Sequence, residues 1–300
     1  MSTATNGSAT HGSATHGSAT HGSATHGSAT HGSATHGHAR DALIEFDAGP
    51  HKYTCAGQGN YLSVTSWNHT HFKPFDADAI IQKMQLNNPK CKYYGQTPEQ
   101  IKGGWNKGRD EAAALGTEMH AAIEQYWLRG KQSSPQPPDL GKVEGNNSPA
   151  GGGAWGGSPP NPQFLNFVAD HPHLCCYRTE WMIFDEDVKI AGSIDFVSEN
   201  EDGSLTIYDW KRCKEIKKTN SFGDFALTEC IAHLPDTNYW HYALQLNTYK
   251  TILERKYGKK VTQLFLVGLH PNLPSYKLYK VPVLEEEMAE LFALRLGALN

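Results

Sequence analysis

Three consecutive stretches decide the fold of this 300-residue chain: CYRTEWMIFD (176–185), VKIAGSIDFVS (188–198) and SLTIYDWKR (204–212). Each is rich in β-branched and aromatic residues, and the connectors around DED and ENEDG are short and polar, as antiparallel hairpins require. A short helix, FLNFVAD, precedes this meander and ends at His171–Pro172. A long helix over about 238–257 follows it, then two further strands, QLFLVGLH (263–270) and SYKLYKV (275–281), and an acidic, Leu-rich closing helix. The pattern predicts an α/β fold: a central mixed sheet of about four to five strands, an antiparallel three-strand meander plus a further strand, flanked by helices.

Upstream, LIEF (43–46) and HKYT (51–54) read as a hairpin turning at DAGP, and YLSVTS (61–66) as another extended piece. Residues 76–87 and 98–129 read as helices, the second bent or broken at Gly103–Gly104 and again near Gly116. Leu115, Met119, Ile123 and Trp127 recur every four residues and predict one apolar stripe facing a core.

Two stretches stand apart by composition. Residues 7–36 are GSATH written six times, and 132–163 are rich in Pro, Gly, Ser and Asn. Side chains no larger than His bury too little surface to offset the entropy of ordering, so residues 1–38 are expected to be a disordered tail. Its histidines (His11, His16, His21, His26, His31, His36) could chelate Zn²⁺ or Ni²⁺ weakly, or be repeat expansion with no selected ligand. The organisation expected is therefore a tail (1–38), an N-terminal hairpin and helical part (39–131), a low-complexity loop (132–163) and a catalytic core (164–300), about 230 residues of ordinary composition in all.

With 38% hydrophobic residues even including those stretches, the chain can build a core. No run of about 18 apolar residues occurs, and the start MSTATNGSATHG lacks a basic, then apolar, leader, so neither a membrane nor secretion is expected. Six cysteines without a CxxC pair fit reduced thiols inside a cell. The net charge of −4 advertises no polyanion, yet residues 209–218 carry five Lys/Arg against two acids, and Lys250, Arg255, Lys256, Lys259 and Lys260 follow one predicted helix.

The chemistry concentrates in GSIDFV and YDWK. Asp209 and Lys211 are two apart on a strand and so share a face, and Asp195 on the neighbouring strand can reach it. Two acids and a lysine grouped on apolar strands are costly to desolvate unless a divalent metal takes the acids as oxygen ligands and leaves the lysine for a phosphate or a water. The competing reading is a surface Asp209–Lys211 ion pair, but SLTIYDW is apolar enough to be central, where an acid is unusual. GTEMH adds His120, and Glu124 one helical turn on, beside the apolar stripe.

In that order, GTEMH, TEW, GSIDFV, YDWK and QLNTY over residues 115–270 resemble the PD-(D/E)XK nuclease superfamily, its RecB-like and lambda-exonuclease-like branch, and the endonuclease-like proteins of large DNA viruses. The resemblance implies a restriction-endonuclease-like core and a DNA hydrolase using Mg²⁺ or Mn²⁺. Asp195 and Asp209 would bind the metal with the Trp210 carbonyl, His120 would complete its shell, and Lys211 would orient the water and stabilise phosphate charge. Gln245 and Tyr249 would brace the site or touch phosphate. Glu180 is either an outer metal ligand or a solvated strand residue, and Glu124 either a supporting acid or a surface one. No three cysteines follow Cys230 to hold an iron–sulfur cluster, and no nucleotide-binding Walker motif is present. Expected partners are DNA and either a second copy of this chain or a separate helicase or recombinase chain, in nucleus, cytoplasm or viral factory. The alternative is a nuclease-fold scaffold that binds DNA without cutting it. Exonuclease and endonuclease action are both open to this reading.

Overall fold

The computed structural model describes residues 36–130, 159–220 and 223–300. The GSATH histidines before His36 and most of the 132–163 loop lie outside the described residues. His36 and His38 fall within the stretch assigned to the tail, yet His36 stacks on Tyr177 at 4.4 Å, and the His38 ring accepts from the Arg40 N–H at the start of a 3₁₀ turn, Ala39–Leu43.

The chain then runs through β1 (Ile44–Asp47), β2 (Lys52–Cys55), β3 (Leu62–Ser63), α1 (Val64–His69), α2 (Ala77–Gln82) and α3 (Pro98–Gly130). It continues through α4 (Pro162–Asp170), β4 (Cys175–Asp185), β5 (Ile190–Glu199), β6 (Leu205–Lys211), α5 (Asn238–Tyr257), β7 (Val261–Gly268), β8 (Lys277–Val281) and α6 (Glu285–Gly297). Local chemistry sets these ends. Asn161 accepts from the Phe164 N–H at 2.8 Å to open α4 ahead of Pro162, and Gly258, at φ 61°, closes α5 in the left-handed conformation. Thr97 and Gln100 exchange side-chain to backbone hydrogen bonds at the start of α3.

Three expectations need correction. YLSVTS is not one extended piece: Ser63 caps a helix that begins at Val64, its oxygen accepting from the Ser66 N–H at 3.0 Å. The helix expected over 76–87 ends at Gln82. α3 is not broken at its glycines but runs 33 residues without interruption. Gly costs a helix only about 1 kcal/mol, which the capping at one end and packing at the other offset. Of the apolar stripe, Met119 and Ile123 are buried, whereas Leu115 is 44% exposed.

The main sheet has six strands, one or two more than expected, and is mixed and open. β4–β5–β6 form the antiparallel meander, β6 pairs in parallel with β7, and β8 returns antiparallel. On one side α1, α5 and α6 share a core with Ile194, Ile207, Leu264 and Leu266. On the other, the second half of α3 and α4 pack Met119, Ile123, Phe164 and Phe167 against Phe196, Tyr208 and Trp210. The result is the α/β, restriction-endonuclease-like architecture.

The register at β5 makes room for a site. β4 covers one edge of β5 from Ile190 to Glu199. The other edge is shared: β3 takes Ile190 and Ala191, and β6 takes Phe196 to Glu199. Residues 192–195 therefore have an edge without a strand, because beyond Tyr208 β6 stays with β7 and leaves β5.

Candidate active site

Asp195 sits where β5 and β6 part. A backbone donor that loses its ladder partner needs another, and Trp210 N–H donates to Asp195 Oδ2 at 2.9 Å. The carboxylate thus replaces a strand and stays in the fork. Asp195, Asp209 and Lys211 are 2%, 1% and 4% exposed, which excludes the surface ion pair.

α3 brings His120 to the fork from the aromatic side. Its Nε2 lies 2.9 Å from the Trp210 carbonyl oxygen, and its Nδ1 lies 3.6 Å from Asp195 Oδ2 and 3.8 Å from Glu180 Oε1. Glu180 stands opposite Asp195 on β4, between the Thr179–Phe196 and Trp181–Ile194 pairs. Its backbone is left-handed, φ 44°, a conformation that costs a non-glycine residue about 1 kcal/mol or more. The Ser193 hydroxyl donates to Glu180 Oε2 at 3.3 Å. One ligand atom each from His120, Glu180 and Asp195 lies within 4.8 Å of the others.

Asp209 and Lys211 form the other half of the site. Lys211 Nζ is 2.7 Å from Asp209 Oδ2, donates to Gln245 Oε1 at 3.2 Å and stands 4.5 Å from the centre of the Tyr242 ring. Gln245 Nε2 in turn donates to the Tyr249 hydroxyl at 3.0 Å. Tyr249 fits only because of Gly192: a Cβ there would stand 2.8 Å from Tyr249 Cε1 and 3.0 Å from Val64 Cγ2. Gln245 and Tyr249 thus brace the lysine from α5.

The electrostatics favour a cation. Burial alone would lower the His120 pKa, but Asp195 and Glu180 outweigh it and raise it to about 9. Burial also disfavours charge on Lys211, and Asp209 and Asp195 overcome it, so the ammonium is held above its ordinary range. Burial pushes Asp209 upward, with Lys211 opposing and Asp195 assisting. Glu124 is raised to about 7, by burial first and by Glu180 second. Acids at this density in an apolar setting draw in positive charge, here protons on His120 and Lys211.

These residues fit a divalent ion. Imidazole nitrogen and carboxylate and carbonyl oxygens suit Mn²⁺ or Mg²⁺, the oxygens alone suiting Mg²⁺ better. Asp209 Oδ1 is buried with no hydrogen-bond partner among the described residues, an arrangement costly without a cation nearby. The grouping differs from the one expected. Glu180 joins His120 and Asp195 in the tight cluster, whereas Asp209 lies on the Lys211 side. Glu124 is half-buried one helical turn beyond His120 and outside that cluster. Tyr242 and Ser193 were not anticipated. Tyr242 lies three residues before Gln245 and hence on the same helical face, a signal visible only once Gln245 is known to meet Lys211.

The sheet, the fork and the buried acid–lysine pair together make a candidate active site. Residues 158–296 match the family model of the PD-(D/E)XK nuclease superfamily. Among solved structures, the chain is similar to SSO0001 at 15% identity and a TM-score of 0.26, covering 46% of this chain and 56% of that one. It is also similar to a "Putative exonuclease" from Eubacterium rectale at 9% identity and a TM-score of 0.30, covering 80% of this chain and 79% of that one. No curated protein matches the chain. Among the described residues no helix is long and apolar enough to cross a membrane.

Proposed function

We propose that the chain is a divalent-metal-dependent nuclease that hydrolyses phosphodiester bonds in DNA, in repair, recombination or genome processing. The observation that carries this reading is the group of buried Asp195 with half-buried His120 and Glu180, ligand atoms within 4.8 Å of one another, set beside a buried lysine paired to a second aspartate. Asp195, Glu180, His120 and the Trp210 carbonyl would hold the ion, with Asp209 completing the shell from the lysine side. When bound, the cation polarises the phosphate and lowers the pKa of an attacking water. The protein supplies alignment. Asp195 is tied to the Trp210 N–H and cannot swing away, and Gln245 and the Tyr242 ring hold Lys211 with its positive charge directed into the fork. That ammonium stabilises negative charge accumulating on the phosphate oxygens and orients the water.

The test uses the full chain with Mg²⁺ or Mn²⁺ on end-labelled linear and on closed circular DNA. Cleavage with either metal and none in EDTA or Ca²⁺ is expected, with Lys211→Ala at least about a hundredfold slower but still binding metal. Loss of only the linear form would identify an exonuclease. DNA binding without cleavage under any divalent metal would replace this reading by the scaffold.

A further inference from the structure

α3 does two different things along its length. From Gly116 onward it packs into the aromatic core and presents His120 to the fork. From Lys102 to Leu115 no residue is fully buried, and only Lys102, Trp105 and Ala113 are half-buried. A helix solvated all round normally bridges two bodies or carries a partner. Here it bridges to a small cap. Residues 73–97 fold over the first turns of α3, burying Ile81 and Ile101, pairing Asp78 with Lys102 at 2.9 Å and joining the Tyr93 hydroxyl to Trp105 Nε1 at 2.9 Å.

The cap displays aromatic rings. Phe75 meets Trp105 edge-on at 5.9 Å, Trp105 meets Tyr93 at 6.0 Å, and Phe75 and Tyr94 are each 55% exposed. It is also mildly basic: residues 73–111 hold seven Lys/Arg against five Asp/Glu, +2 in a chain whose total is −4, with Arg109 beside Asp110 at 3.0 Å in an exposed pair that solvent screens and a phosphate can displace. Helix geometry aligns this charge with the fork. Lys102 and His120 are 18 residues apart, about five turns, and Arg109 and His120 are 11 apart, about three, so all three lie along one face. Trp105 stands about 22 Å from His120 along the axis.

We propose that this face and its aromatic cap bind a single strand of DNA and lead it to the fork; the inference rests on the nuclease reading for its destination. Exposed ring faces can stack only on bases that are not already stacked in a duplex, and lysine and arginine beside them follow the phosphates. At a rise of about 3.4 Å per nucleotide, the span from Trp105 to His120 accommodates about seven nucleotides of stacked strand.

The test measures binding by fluorescence anisotropy in EDTA, so that it does not depend on cleavage, with single strands of about 20 and about 5 nucleotides and a duplex of the longer length. The double variant Phe75→Ala/Tyr94→Ala removes two largely exposed side chains, and circular dichroism and thermal unfolding check its fold. It should bind the long single strand at least about fivefold more weakly, with less change for the duplex and the short strand. Arg109→Ala should reduce the salt dependence of long-strand binding by about 0.7 in log–log slope, whereas the ring variant leaves that slope unchanged. Undiminished long-strand affinity in the double variant, or an equal loss on duplex, overturns the proposal. Wild-type cleavage with Mn²⁺ is scored separately: a chain that never cuts yet loses long-strand affinity on ring removal keeps the strand track and loses the nuclease, and the converse result does the opposite.

Discussion

Two charged clusters flank β4 and β5, and they differ in balance. At the turn between these strands, Asp185, Glu186 and Asp187 face Arg40, Arg255 and Lys256, three acids against three permanent cations. Asp185 accepts from Arg255 Nε at 3.0 Å and Lys256 Nζ lies 2.7 Å from Asp187 Oδ2. At the fork, Glu180, Asp195 and Asp209 face one permanent cation, Lys211, and one histidine. The turn cluster is satisfied by the protein itself and holds the hairpin, the N-terminal strap and α5 together. The fork cluster is left in deficit, and that deficit is what a divalent ion would fill. The comparison also revises the sequence reading of Arg255 and Lys256: these members of a basic helix are engaged with acids of their own chain rather than presented as a surface for DNA.

The comparison breaks most clearly under charge removal. Asp209→Asn should lower cleavage at least about a hundredfold, about 3 kcal/mol in barrier, but should also cost stability by leaving the buried Lys211 ammonium unpaired. Asp195→Asn should slow cleavage as much while thermal stability in EDTA stays level, because His120 can give up its proton when that charge is lost. Asp185→Asn should do the reverse, costing about 1–3 kcal/mol of stability in denaturant unfolding with the cleavage rate per folded molecule maintained. Equal effects of Asp195→Asn and Asp185→Asn on both measurements would mean that the clusters share one role.

Packing beside the fork gives the next effect. Gly192→Ala places a methyl against Tyr249 and Val64 and should cost about 1–3 kcal/mol, read as a lowered midpoint in urea, and should slow cleavage through the displaced Gln245–Tyr249 brace. A smaller change is expected in metal preference. His120→Ala should reduce cleavage and narrow any advantage of Mn²⁺ over Mg²⁺, since imidazole suits Mn²⁺ better; an unchanged Mn²⁺/Mg²⁺ rate ratio removes His120 from the ion's shell.

The smallest effect concerns pH at the turn. Burial raises the Glu186 pKa, but the Arg40 hydrogen bond and charge, with Lys256, outweigh it and bring it to about 2 from an ordinary 4.5. A depressed carboxylate contributes stability that is present above its unfolded value and is lost as pH falls through its folded value. Thermal stability should therefore decline between about pH 4.5 and 2, and Arg40→Met should flatten that decline; solvent screening at this half-exposed pair keeps the effect modest. An identical acid limb in wild type and variant would remove the pair from the ledger.

Much of the core was legible without coordinates, for a physical reason. Strands with a buried face on each side announce themselves as apolar runs, and Asp195, Asp209 and Lys211 stand out because a charge inside such a run is expensive. The two-residue period also placed Asp209 and Lys211 on one face, and they meet at 2.7 Å. Less was legible where the decisive contact is long-range. Glu180 could be read as solvated because TEW carries no sign of a left-handed residue at its centre, and only pairing with β5 sets it opposite Asp195. The glycines of α3 suggested a break, since propensity is local, while the capping and packing that keep the helix whole are not.

The sequence by itself determined the order of strands and helices and the three charged residues at the centre of the sheet, because periodicity and the cost of buried charge act within a few residues of chain, and the order of its motifs carried the resemblance to the superfamily. Only the tertiary structure decided that β5 and β6 part at Asp195, that His120 and Glu180 close on it from two other elements, and that α3 carries an exposed aromatic cap in line with the same fork. These depend on where strands stop pairing and on which faces of distant elements meet, and neither is set by neighbours in the chain.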